Sequence, residues 1–185
     1  MAEQGGHTRR ELLRLAAGTA AGVALGAPAL NLSGAQTPPV GPGTLQLGDN
    51  LFLIALPGEA NVVAQTGADG VLLVDGASAA ASDALMKVVA GLPGGAPVNT
   101  LINTHWHPEQ TGSNERLGKA GKTIIAQENT RLWLSTDVTW PWNGRRFTRL
   151  PKIAQPNQTF YTEGKLPSGV RYGYIPDVAH TDGDL

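Results

Sequence analysis

Cysteine is absent from the chain, and that absence removes disulfides, thiolate metal sites and a cysteine nucleophile together. Any metal must be held by nitrogen and oxygen donors. Charge is scarce as well: 16% of residues are charged and the formal net charge is -1. A balance so near neutral gives no electrostatic case for nucleic acid or an anionic membrane surface as a partner. No internal repeat is visible. What is plentiful is glycine (24) and proline (13) beside 41% hydrophobic residues, the composition of a turn-rich globular protein rather than a disordered one. At 185 residues the chain can bury one real core and is too short for two comfortable ones.

The first 35 residues read as an address. Arg9, Arg10 and Arg14 precede an uncharged Ala- and Gly-rich run from Leu15 to Leu30, and small-residue sites follow at Ala27-Pro28-Ala29 and Ser33-Gly34-Ala35. This is the layout of an export signal, and the paired arginines resemble the twin-arginine kind. The alternative is a retained membrane helix, but the run is near the lower length limit for spanning and its composition makes a weak anchor. The expectation is a periplasmic or secreted protein with no stable membrane anchor. Loss of residues 1–35 takes away three Arg, two Glu and His7, so the formal charge moves from -1 to about -2. The remaining histidines are His105, His107 and His180.

Residues 36–43, "QTPPVGPG", read as a proline-rich linker. From Thr44 the chain reads as short strands, "TLQLGD", "LFLIAL", "NVVAQTG" and "GVLLVDG", separated by turn signals. "VLLVD" is the run expected of a strand buried on both faces. Residues 78–92 have the apolar spacing of a helix, with Ser78 as N-cap and Gly91 near its end. "VNTLINTH" is the next strand, followed by a short helix around 113–120, the strand "TIIAQ" and the helix "NTRLWLST". Strand and helix alternate, which predicts an α/β domain over residues 44–185 with antiparallel strands at its start. Residues 140–169 read as a long loop with "TFYTE" as a short strand, and "VRYGYIPDVAH" is strand-like again.

The chemistry concentrates in "NTHWHPEQTG". His105 and His107 follow a strand, and side chains two apart in extended backbone leave the same face, with Trp106 pointing away. Zinc in catalytic sites takes three protein ligands and keeps a fourth position for water. With no cysteine, His180 in "AHTDGD" is the available third imidazole. Glu109 is placed to bind a second metal, or to orient and deprotonate a water. Trp106, Trp140 and Trp142 are candidates for the substrate-pocket wall, with buried packing the commoner role for any one tryptophan. Arg145, Arg146 and Arg149 lie beside aromatics. They read as a solvated loop, with a dock for a substrate carboxylate as the alternative and nucleic acid not favoured.

"NTHWHPEQTGSN" together with "AHTDGD" resembles the metallo-β-lactamase-fold hydrolases, whose hallmark is H-x-H-x-D-H after a strand with a later His in a Gly/Thr-rich turn. The resemblance runs from about Thr44 to Leu185 and includes "GVLLVDG", which looks like the family's strand ending in a structural Asp, here Asp75. It implies an αββα sandwich, represented by its N-terminal half and the start of the second. His105, His107 and His180 match the three-histidine metal site. Glu109 stands where the family usually has Asp, and Gln110 where it usually has a second-site His. A neutral amide oxygen is a poor zinc ligand beside imidazole, so one dominant zinc site is expected with the second weak or empty. His and carboxylate donors also suit iron. Asp184 matches no ligand and reads as a turn residue, and Asp182 reads as a turn residue or a support to the ligands rather than a ligand.

The fold implies a longer chain, so the sequence is expected to be C-terminally truncated, or to need a dimer mate or partner over an exposed sheet edge. The function implied is a zinc-dependent hydrolase acting on an ester, thioester, lactone or lactam of a small molecule. The alternative is a non-catalytic metal-binding remnant, or a subunit that needs another chain.

Overall fold

Alternating apolar residues and tight turns make four short strands at the start of the domain: β1 (Thr44–Gly48), β2 (Leu51–Ile54), β3 (Val62–Gln65) and β4 (Val71–Val74). The computed structural model describes residues 43–140, 143–177 and 179–185. The expected export signal, and the linker before Gly43, lie outside the described residues. Among the described residues no helix is long and apolar enough to cross a membrane.

The strands β1 to β4 run antiparallel to their neighbours in sequence. Beyond β4 the sheet becomes parallel through β5 (Val98–Ile102), β6 (Thr123–Gln127) and β9 (Gln158–Phe160). The result is one seven-stranded mixed sheet in the order β1-β2-β3-β4-β5-β6-β9. Parallel strands need crossover connections, usually through a helix, and the chain supplies them. Helix α1 (Ser82–Ala90) links β4 to β5, while α2 (Pro108–Thr111) and α3 (Asn114–Lys119) link β5 to β6. Helix α4 (Glu128–Leu134) follows β6.

Helix α1 buries Ser82, Leu85 and Val89, one stripe at helical spacing. It begins after a 3-10 turn, Ala79–Ala81, for which Ser78 is the N-cap, and it ends at Gly91. Both caps are as the sequence predicts. Leu85, Val89, Leu92 and Leu117 pack on Phe52, Ile54, Val62, Ala64, Val71 and Leu73 from one face of the sheet. Burying a side chain the size of Leu85 contributes about 2 kcal/mol. On the other face Leu72, Ile102, Ile125 and Phe160 meet Leu166, Val170, Tyr172, Tyr174 and Leu185. Residues of β4 are therefore buried on both sides, as the "VLLVD" run predicts.

The sequence reading departs from the structure in two places. The stretch 140–169, expected as a loop with one short strand over "TFYTE", has that strand as β9. It also holds β8 (Arg146–Phe147), paired as a hairpin with β7 (Val138–Thr139), a 3-10 turn at Lys152–Ala154 and β10 (Glu163–Lys165). The strand expected over "VRYGYIPDVAH" is cut to β11 (Arg171–Gly173), paired with β10. Two- and three-residue strands are too short to carry a readable period.

Gly112 closes α2, where its N–H donates to Ala77 O at 2.9 Å. A Cβ there would strike backbone atoms of Ala77, Ser78 and Ala79. Backbone cannot rotate aside, so Gly112→Ala is expected to cost about 2 kcal/mol of stability. Gly91→Ala, which meets only ordinary contacts, is the control. Equal urea midpoints for the two variants would contradict the close-approach argument.

Candidate metal centre

The centre is built at the carboxyl ends of β4 and β5. Strand β5 stops at Ile102, so His105 and His107 stand on the loop beyond it, and strand alternation is not what aims them. Their placement comes from a buried polar scaffold. Asn103 is fully buried and exchanges amide hydrogen bonds with Asn114, at 3.1 and 2.9 Å. Asn114 also donates to Ala154 O, at 3.0 Å. Each buried amide is satisfied by the other, which fixes the loop against α3. His107 then serves as the N-cap position of α2, with Pro108 following it.

Asp75 follows β4 directly, with φ at 67°, a left-handed conformation uncommon for a residue with a side chain. Its carboxylate accepts from Thr104 N at 2.8 Å and from Thr104 Oγ1 at 3.0 and 2.8 Å. Thr104 Oγ1 is also 3.0 Å from His105 Nδ1. A hydroxyl that gives its proton to Asp75 can only accept from the ring, so His105 carries its proton on Nδ1 and presents Nε2 as lone pair. A carboxylate, a hydroxyl and an imidazole in series orient a metal ligand and set its tautomer. Thr104 is the site residue that sequence reasoning passed over. Its place immediately before the first histidine was the available signal.

His180 comes from the far end of the chain. Asp184, read as a turn residue, accepts from His180 N at 2.7 Å, from Thr181 N at 2.9 Å and from Thr181 Oγ1 at 2.6 Å. It holds the turn that presents His180. The same turn is tied to α4 by Trp133 Nε1 donating to Asp182 Oδ1 (2.5 Å), by Asn129 Nδ2 to Asp182 O (2.7 Å) and by Thr130 Oγ1 to Gly183 O (3.0 Å). Asp182 is thus a docking residue, and neither aspartate is drawn among the imidazoles.

The three predicted histidines do come together. Every pair of rings is 4.8 Å apart between centroids, at interplanar angles of 79°, 88° and 88°. One ligand atom from each lies within 4.8 Å of the others. His180 Nε2 and His107 Nδ1 are 3.1 Å apart. Two ligands on one tetrahedral zinc would be roughly 3.3 Å apart, from bond lengths of about 2.0–2.1 Å. The donors present therefore fit a divalent metal. Glu109 stands beside this group, half-exposed, with Oε1 3.9 Å from His107 Nδ1. Gln110 is buried, and its Oε1 has no hydrogen-bond partner among the described residues.

An aromatic wall backs His107. Trp106 is buried, stacks on Trp133 at 5.2 Å and meets Phe147 edge-on at 5.2 Å. Its ring is 4.5 Å from His107, so it packs beside its neighbour rather than pointing away. Trp140 is half-buried and 5.9 Å from His107. Trp142 lies outside the described residues.

Burial pushes the His105 imidazole down to about 4, helped by His107 and His180 and opposed by Asp184 and Glu109. His107 is lowered as well, by burial first and then by His180 and Arg145, against Glu109 and Asp184. Both rings are neutral at neutral pH, the form a metal needs. Asp75 goes the other way: burial lifts it to about 6 against the two Thr104 hydrogen bonds.

These shifts have opposite linkage. Between about 4 and 6 the folded chain holds more protons at Asp75 than the unfolded chain, so that contribution falls as pH rises. Over about 4 to 6.5 the folded chain holds fewer protons at His105, so that contribution grows as pH rises. Asp75→Asn removes the first slope. In the presence of a chelator the variant is expected to gain stability from pH 4 to 6 more steeply than the parent, read as urea midpoints. Parallel pH profiles would rule this out.

Comparisons with known proteins bear on the family and the fold. A family model described as the metallo-beta-lactamase superfamily matches residues 55–185. No curated protein sequence matches the chain. Among solved structures, BJP-1, a subclass B3 metallo-beta-lactamase of Bradyrhizobium japonicum, is 19% identical with a TM-score of 0.62, over 77% of this chain and 54% of that one. A metallo-beta-lactamase of Cronobacter sakazakii with a HARLDQ motif is 14% identical with a TM-score of 0.61, over 77% and 55%. A B3 metallo-beta-lactamase described as having an active-site glutamic acid is 17% identical with a TM-score of 0.59, over 77% and 55%. Identities this low speak for the fold alone. The chain spans about half the length of these structures.

Proposed function

The chain belongs to the metallo-beta-lactamase superfamily, and from that premise we propose that it is a zinc-dependent hydrolase of an ester, thioester, lactone or lactam carbonyl in a small molecule. The observation that carries the proposal is the convergence of His105, His107 and His180 on one point. Zinc held there supplies Lewis acidity and a nucleophile from water near neutral pH.

The chain's own residues do the rest. Thr104 and Asp75 hold the His105 ring in one tautomer. Asp184 fixes the turn that brings in His180. Glu109, on the solvent side of His107, takes the proton of the attacking water, since carboxylate is the proton acceptor within reach. Trp106 and Trp140 exclude water from one side of the site. One dominant zinc is proposed, because Gln110 offers only an amide where a second imidazole would be needed.

The proposal extends to location and partners. The leader at residues 1–35 supports export by the twin-arginine route to the periplasm or beyond. Leu45 and Leu47 are exposed on β1, which is the edge strand. They support a dimer mate or partner lying against that edge.

The test is elemental analysis of the purified chain together with a panel of ester, thioester, lactone and β-lactam substrates. One zinc per chain and zinc-dependent turnover are expected. Two tightly held equivalents would refute the single-site reading. Zinc binding without turnover would favour the non-catalytic reading.

A further inference from the structure

The hairpin of β7 and β8 turns through Asn143 and Gly144, and Trp140 N donates across it to Arg145 O at 2.9 Å. Arg145 leaves this turn with its guanidinium laid on aromatic rings. Its Cζ is 4.7 Å from the Phe147 centroid and 5.6 Å from that of Trp140. Those rings meet each other at 4.8 Å, and Trp140 in turn reaches His107 at 5.9 Å. One indole therefore separates the guanidinium from a metal-ligand imidazole.

Stacking orders a planar guanidinium while its N–H donors stay at the edges of the plane, unspent. Among the described residues, no ion pair or side-chain hydrogen bond engages the Arg145 guanidinium. Arg116, Arg131 and Arg171 behave differently, pairing with Asp83, Glu128 and Glu163. Arg146, on β8, and Arg149 just beyond it have no such stacking among the described residues. Arg145 is thus exposed yet pre-ordered, which lowers the entropy cost of gripping a planar anion. A carboxylate matches that fork in a two-point contact, and the flanking rings offer apolar surface to the rest of the ligand.

We propose that Arg145 is a specificity residue that binds a carboxylate of the substrate, making the substrate class an anionic carbonyl compound with an apolar or aromatic flank. Calling the ligand a substrate rests on the hydrolase reading; the anion subsite itself does not. Arg145 touches the carboxylate and takes no part in the bond-breaking step.

The probes are 3-phenylpropanoate and its neutral counterpart, 3-phenylpropanamide, titrated into the full chain with tryptophan fluorescence as readout. Both zinc-loaded and chelator-treated protein are used, because a carboxylate also ligates zinc and the metal-free arm isolates Arg145. In that arm the acid is expected to bind roughly tenfold more tightly than the amide. Arg145→Gln should abolish the preference and leave amide affinity unchanged, while Arg146→Gln keeps it. Unchanged circular dichroism would show that the exposed substitutions leave the fold intact. A preference that survives Arg145→Gln, one lost equally in Arg146→Gln, or none in the parent would each overturn the proposal. Absence of zinc on metal analysis would count against the hydrolase reading and leave the metal-free comparison decisive.

Discussion

His107→Ala is expected to weaken zinc binding by more than about a hundredfold, since even outer partners of metal ligands cost about 10–100-fold when removed. His107 makes the closest approach within the group: its Nδ1 is 3.1 Å from His180 Nε2, and its ring is 4.8 Å from both other imidazoles. Two imidazoles would remain, one of them exposed. The effect is readable as linkage between metal and folding. At zinc a hundred times its dissociation constant, the parent gains about 2.7 kcal/mol of stability, and a variant weakened a hundredfold gains about 0.4 kcal/mol. The measurement is the thermal midpoint with and without zinc. A zinc-induced shift in His107→Ala equal to the parent's would show that the three histidines do not share an ion.

Glu109→Gln should separate chemistry from metal binding. The substitution keeps the size of the side chain and removes its capacity to accept a proton. Loss of a positioned general base costs roughly 10²–10⁴-fold in rate, so kcat should fall by that amount while zinc content stays at the parent's value. A change confined to KM would instead mark Glu109 as a binding residue. Loss of zinc along with activity would make it a ligand. The proton role is the one proposed, because Glu109 is half-exposed and stands outside the trio that converges. Its helix, α2, is held by the Gly112 approach to Ala77 and by Gly76 N donating to Gln110 O at 2.6 Å. The carboxylate therefore sits on a fixed base.

Much of the candidate site was legible in the residues. A chain without cysteine has few ways to hold zinc, and three of its four histidines fall in two short motifs. Local pattern also located β4, the Ser78 cap, and α1 with its buried stripe, because periodicity and capping act over a few residues, while Asp75 was singled out by the family resemblance. The same locality explains the failures. Strands of two or three residues in 138–173 carry no period, and strand alternation was the wrong reason for aiming His105 and His107, since β5 ends before them.

By itself the sequence supplied the histidine set and the order of the strands from β1 to β6, because both rest on local pattern. Only the tertiary structure decided what holds those donors. Asp75 and Thr104 are 29 residues apart, His107 and His180 are 73 apart, and Asn129 meets Asp182 across 53. Such contacts form because the loops at the carboxyl ends of parallel strands gather on one edge of the sheet. No local pattern encodes which residue faces which there. The tautomer of His105, the grip of Asp184 on the His180 turn, and the seat of Arg145 on Trp140 and Phe147 all come from that convergence.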